Sequence, residues 1–344
     1  LEMHDFGMKA STVQSLFGEL RNELVPLLQA IPSKPPIDDS CLRQYYPHAR
    51  QMAVSEKIGR MIGYDFERGR LDLTHHPFET NFSVGDVRIT TRVKENFLND
   101  CLFSVIHEGG HAMYEQGVDP KLEGTPLCGG TSSGVHESQS RLWENLVGRS
   151  KGFWEHFLPV MQAEFPEQLG NVSLDEFYRA INKVERSLIR VDADEVSYNL
   201  HVMLRFDFEI EMLEGRLAVK DLPEAWNARM KSDLGIVPPD DKDGCMQDVH
   251  WYGGMIGGAF QGYTLGNIIS GLVYETAVNQ NPNIPDEIRQ GNLKPLHSWL
   301  IENIYRHGSK FSAGELVERI TGGPIRIEPY MRYLKIKYGE LYKL

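Results

Sequence analysis

A chain of 344 residues, 41% hydrophobic and 24% charged, sits close to globular averages, which excludes a disordered, collagen-like or coiled-coil chain. Thirty-six basic against 48 acidic residues leave a net charge of −12, a field that repels phosphate backbones and anionic lipid, so neither nucleic acid nor a membrane surface is an expected partner. Cys41, Cys101, Cys128 and Cys245 are far apart with no C-x-x-C pair, and no apolar run approaches the roughly 18 residues of a membrane span; reduced thiols and a cytoplasmic location are expected.

In chain order, the start at Leu1-Glu2 rather than Met reads as a processed or truncated chain. Ser11-Thr12-Val13-Gln14 has the form of a capping box, followed at helical spacing by Val13, Leu16, Phe17, Leu20, Leu24, Leu27, Leu28 and Ile31, with a stop near Pro32. A second helix is predicted from about Pro47 to Gly63. From Leu71 to Val93, alternation and β-branched residues (Val84, Val87, Ile89, Thr90, Thr91, Val93) predict two or three short strands. Helix returns at about Glu95 and dominates to the C-terminus, with capping-box starts at Ser173 and Ser312. Glycine- and proline-rich loops fall at Gly124 to Gly134 and Gly235 to Gly244, without a clear domain boundary, so residues 1–344 read as a single, mainly α body with a small β region at about 71–93.

The strongest chemical signal is the H-E-x-x-H of His107-Glu108-Gly109-Gly110-His111 in a predicted helix. The two histidines lie four apart, about one turn, so both imidazoles leave one face and can share a tetrahedral ion. Glu108 is rotated about 100° from His107, close enough to act on a metal-activated water without being a ligand. Gly109 and Gly110 each cost about 1 kcal/mol relative to Ala inside a helix, a penalty explained if another segment or a substrate approaches closely. No G-x-x-H continuation follows His111, so a third ligand must come from elsewhere. Both His136 and Glu137, on the predicted helix Gly134 to Asn145, are candidates; Glu137 is favoured because two histidines and a carboxylate form a common catalytic zinc set with an open fourth position.

Six ordered motifs then carry a resemblance: His76-Pro77-Phe78, Asp86-Val87-Arg88-Ile89-Thr90, the H-E-x-x-H, His136-Glu137-Ser138-Gln139, Ile189-Arg190-Val191-Asp192-Ala193-Asp194, and Gly244-Cys245-Met246-Gln247-Asp248-Val249-His250-Trp251. Over roughly Phe66 to Gly266, and again from Arg332 to Leu344, the sequence resembles the carboxypeptidase Taq family of zinc-dependent carboxypeptidases. The resemblance implies a helical, two-lobed zincin-type fold with a small β-sheet beside the active-site helix, and a chain lacking the long helical segment with which members of the family usually begin. It implies His107, His111 and Glu137 as metal ligands and Glu108 as catalytic base. It also implies zinc, or Co²⁺ or another divalent metal, release of single residues from peptide C-termini with broad preference, and a homodimer. A zinc endopeptidase and a non-catalytic metal-binding protein are the competing readings.

The remaining candidates serve the same reaction. Developing charge on the scissile carbonyl needs donors besides the metal, for which His250, Tyr252 and Tyr263 are candidates. An exopeptidase must grip a terminal carboxylate, which an Arg fork does bidentately. Arg190 is the first choice, its plain alternative being a helical salt bridge to Asp194; Arg88 is the second, on a strand that could pair with an extended peptide by edge addition. His76 is a candidate groove residue. Met246, Met255, Gly253, Gly254, Gly257 and Gly258 read as close helix packing, and no nucleotide is expected because no strand precedes the glycines.

Overall fold

The computed structural model describes residues 1–253 and 257–344, so Gly254 and Met255, named above as packing residues, lie outside the described residues. The first helix, α1 (Ala10–Ala30), buries Val13, Leu16, Phe17, Leu20, Leu24 and Leu28 at helical spacing. Its cap is not the box at Ser11. Lys9 holds the extended cap conformation and its carbonyl accepts from the amides of Thr12 and Val13, which places Ser11 inside the first turn. Helix α2 (His48–Ile62) follows and stops at Gly63, whose φ of 121° is open to glycine.

Three strands come next: β1 (Leu71–Leu73), β2 (Glu79–Ser83) and β3 (Asp86–Thr91). Their order is β1-β3-β2, with β1 parallel and β2 antiparallel to β3. Because β3 is central, both of its edges are already hydrogen-bonded, so, contrary to the expectation for the Arg88 strand, it cannot accept a peptide as an added strand. Alternation puts Val87, Ile89 and Thr91 of β3 inward, against α3 (Leu98–Gln116).

From α3 onward the chain is helical: α4 (Ser133–Arg141), running without a break into a π-helical turn at Leu142–Val147, then α5 (Lys151–Glu164), α6 (Pro166–Leu169) and α7 (Leu174–Ile181). After these come α8 (Tyr198–Leu213), α9 (Leu222–Leu234), α10 (Val249–Tyr252) and α11 (Gln261–Gln280). The last four are α12 (Ile284–Arg289), α13 (Lys294–Asn303), α14 (Ala313–Thr321) and α15 (Glu328–Tyr342). Ser173 and Ser312 form the predicted capping boxes. Among the described residues the main hydrophobic core runs from α1 through α15, with a small separate cluster at Val84, Val118 and Leu122.

Two predicted elements differ. Leu188–Asp194 is not an α-helix; only Arg190–Asp192 turns, in a 3₁₀ geometry. Asp194 ends it by accepting from the amides of Val196 and Ser197 at 2.9 and 3.0 Å, which turns the chain into α8. Of the residues expected to pack closely, Met246 is instead 58% exposed in a loop, whereas Gly257 and Gly258 take positive φ before α11 and do pack closely: a Cβ on Gly257 would stand 2.8 Å from Leu213 at the end of α8, and one on Gly258 would run into the backbone of Leu1. No helix among the described residues is long and apolar enough to cross a membrane.

Candidate active site

Helix α4 lies between α3 and α11, and glycine sets both separations. A Cβ on Gly110 of α3 would stand 2.7 Å from Ser140 Cα, and one on Gly266 of α11 would stand 2.5 Å from Glu137 Cγ. Any side chain at either position would push α4 away, so the helix cost of Gly110 is the cost of bringing two backbones together. A fixing contact at the helix start comes from Asp5, wholly buried, which accepts from the Gly134 amide at 2.9 Å and from the Gln261 side chain at 2.8 Å.

This sandwich delivers three donors to one point. His107, His111 and Glu137 present ligand atoms that all lie within 4.8 Å of one another. Glu137 Oε2 is 3.3 Å from His111 Nε2 and 3.8 Å from His107 Nε2. Tetrahedral bonds of about 2.0–2.1 Å imply donor separations of about 3.4 Å, so the set fits a divalent ion. Both imidazoles aim Nε2 at the same carboxylate oxygen, and their Nδ1 atoms face outward, to Glu144 Oε2 at 2.9 Å for His107 and to His136 Nδ1 at 2.6 Å for His111. His136, the alternative third ligand, thus stands behind His111.

Charge is distributed unevenly around the donors. Burial pushes the Glu137 carboxyl up, but Arg141 and the two imidazoles outweigh it and hold the acid well below the ordinary carboxylate range. Arg141 Nε donates to Glu137 Oε1 at 2.7 Å, leaving Oε2 toward the histidines. Glu108 lacks such a partner: burial, opposed by His107 and reinforced by Glu137, pushes its carboxyl up to about 7. Two acids on neighbouring helices therefore differ as a ligand and a proton acceptor should.

A cleft of about 820 Å³ opens beside the donors, lined by His107, Glu108 and Glu137 and also by His76, Arg190, His250 and Tyr263. Arg190 is 4% exposed and does not pair with Asp194. Its Nε donates to Asp248 Oδ2 at 2.5 Å, its Nη2 to Oδ1 at 3.2 Å and its Nη1 to Tyr198 Oη at 3.0 Å. Arg205, wholly buried, reaches the same carboxylate at 3.0 Å. His250 Nδ1 lies 3.1 Å from Asp248 Oδ1, and the His76 ring packs 4.7 Å from the His250 ring. Two guanidinium groups on one aspartate leave this wall positively charged. Arg88 and Tyr252 are not brought to the cleft: Arg88 pairs with Asp86 at 2.7 Å and lies over Phe82, and Tyr252 is 51% exposed.

Sequence reasoning missed four groups around the site: Arg141 and Glu144, which touch the ligands Glu137 and His107, Glu115, which pairs with His136, and Arg205, which shares Asp248 with Arg190. For two of them a signal existed. Arg141 lies four residues after Glu137 and Glu115 four after His111, the spacing of helix neighbours. Glu144 and Arg205 come from other turns and helices, and only the packing brings them in.

The sequence profile of the carboxypeptidase Taq (M32) metallopeptidase family matches residues 1–338. Thermostable carboxypeptidase 1 of Thermus thermophilus is 46% identical over 344 residues, covering 99% of this chain and 67% of the relative. Carboxypeptidase 1 of Bacillus subtilis is 38% identical over 347 residues, covering 100% of this chain and 69% of the relative. The crystal structure of the M32 carboxypeptidase from Deinococcus radiodurans R1 superposes with a TM-score of 0.98 at 53% identity, covering 100% of this chain and 69% of that one. The donor triad, the family match along nearly the whole chain and the shared fold agree: this chain belongs to the carboxypeptidase Taq (M32) metallopeptidase family and is a metallocarboxypeptidase, a hydrolase.

Proposed function

We propose that residues 1–344 form one catalytic body that releases single residues from the free C-termini of peptides, with broad preference and with zinc held by His107, His111 and Glu137. The observation that carries this reading is the convergence of those three donors beside a cleft that Arg190 also lines. Zinc, or Co²⁺ or another divalent ion, supplies Lewis acidity and a water acidified toward neutrality when bound. Glu108 accepts the proton of the attacking water and returns it to the leaving amine; burial has already brought its carboxyl to about 7, where a group can both take and give a proton.

Arg190 binds the terminal carboxylate. Asp248 fixes the fork in place, and the surplus positive charge shared with Arg205 favours an incoming anion. His250 and Tyr263 donate toward the carbonyl oxygen as negative charge gathers there, and His76 packs behind His250. The family resemblance supports a homodimer, and four free cysteines agree with a cytoplasmic location.

The test compares N-blocked peptides with free and amidated C-termini. Release of the last residue from the free form alone is expected. Equal internal cleavage of both forms would make the enzyme an endopeptidase and Arg190 structural.

A further inference from the structure

The two histidine donors are backed differently. His107 Nδ1 meets a carboxylate directly, Glu144 at 2.9 Å, whereas His111 Nδ1 meets a second imidazole, His136 Nδ1 at 2.6 Å, and His136 Nε2 meets Glu115 Oε1 at 2.9 Å. Proton bookkeeping along this second line has one solution. Both donor rings aim Nε2 at Glu137 Oε2, so a neutral His111 binding an ion through Nε2 holds its proton on Nδ1 and donates it outward. His136 Nδ1 must then accept, which puts the His136 proton on Nε2, where it donates to Glu115. Glu115 also accepts from the Gly130 amide at 2.7 Å, and Glu115 and His136 are both largely enclosed.

We infer that His136 and Glu115 are positioning residues for the metal centre, forming a carboxylate–imidazole–imidazole line that fixes the tautomer and tilt of His111 and carries the charge of Glu115 to it. This rests on the His107, His111, Glu137 reading. It goes further by assigning work to the loop at Gly130, so that the glycine-rich segment before α4 becomes part of metal retention. Outer partners of ligating histidines change metal affinity by about 10- to 100-fold.

The test measures Zn²⁺ affinity by competition with a chromophoric chelator, in the whole chain, for the wild type, His111→Ala, His136→Leu, His136→Gln, Glu115→Gln and the double variant His136→Leu/Glu115→Gln. His136→Leu is expected to weaken binding about 10- to 100-fold. His136→Gln, whose side-chain oxygen can accept from His111, recovers most of that loss. Glu115→Gln weakens binding on its own and adds nothing once His136 is Leu. Nitrogen-15 spectra of the Zn²⁺-loaded protein are expected to show His111 protonated on Nδ1 and His136 on Nε2. Loss of binding in His111→Ala with unchanged affinity in both His136 variants overturns the line and leaves the centre standing. Unchanged affinity in His111→Ala overturns the centre and the line with it. Should His136→Leu fail to fold, the His136→Gln affinity and the tautomers decide the matter: a Nδ1-protonated His136 overturns the inference.

Discussion

At the scale of single residues, the two carboxylates of the centre are separated by what touches them. Replacing Glu108 with Gln removes the proton acceptor and none of the three donors, so turnover is expected to fall about 10²- to 10⁴-fold while Zn²⁺ binding stays near wild type; metal analysis alongside single-turnover kinetics checks both halves. Arg190→Ala is expected to cost about 2–4 kcal/mol in kcat/KM on free-carboxylate peptides, and a loss below about 0.5 kcal/mol would reject the clamp. A pH effect belongs to His201. Burial, together with Arg205 and Arg190, pushes its imidazole down to about 3, against an ordinary value of 6.5. As pH falls below 6.5 the unfolded chain takes up a proton that the folded chain refuses, so stability drops, by about 2 kcal/mol between pH 6.5 and 5. His201→Gln keeps a donor for the Ser187 carbonyl, which His201 Nε2 now serves at 3.1 Å, and removes the titration. Urea unfolding at both pH values should show a shallower loss in the variant; parallel losses would contradict the assignment.

At the scale of elements, the site depends on how closely helices approach. Gly110→Ala is predicted to cost about 1–3 kcal/mol, the range for overpacking, because the new methyl meets the backbone of α4 at Ser140. It should also weaken Zn²⁺ binding, since α4 carries Glu137; thermal melts and chelator competition read the two effects separately. The H-E-x-x-H pair was legible in sequence because its spacing is a property of any α-helix. The strands were legible because alternation of Val87, Ile89 and Thr91 survives as inward burial. Ser11 misled because a capping box describes only four residues, while the helix start was decided by the extended backbone at Lys9. The Arg190 segment misled in the same way: its composition suits a helix, but Asp194 spends its carboxylate on the amides that follow. The partner of Arg190, Asp248, is 58 residues away, and no local pattern discloses such a pair.

At the scale of the whole molecule, a bound ion is linked to folding, because His107, His111 and Glu137 meet only when α3 and α4 are docked. Free Zn²⁺ at about 100 times its Kd should raise stability by about 2.7 kcal/mol, and chelation should remove it. Differential scanning calorimetry with and without chelator measures this, and an unchanged midpoint would mean that the donors do not act together. Sedimentation of the same samples tests the homodimer.

The enclosure of Glu137 between two helices sets an order of events during synthesis. Both imidazoles and the acid leave the ribosome more than a hundred residues before Gly266, the position against which α4 finally seats. A nascent chain halted before that point possesses all three ligands yet lacks the surface that holds them in register. Ion capture should therefore be a late step, a stopwatch for completion of the tertiary structure rather than a seed for it.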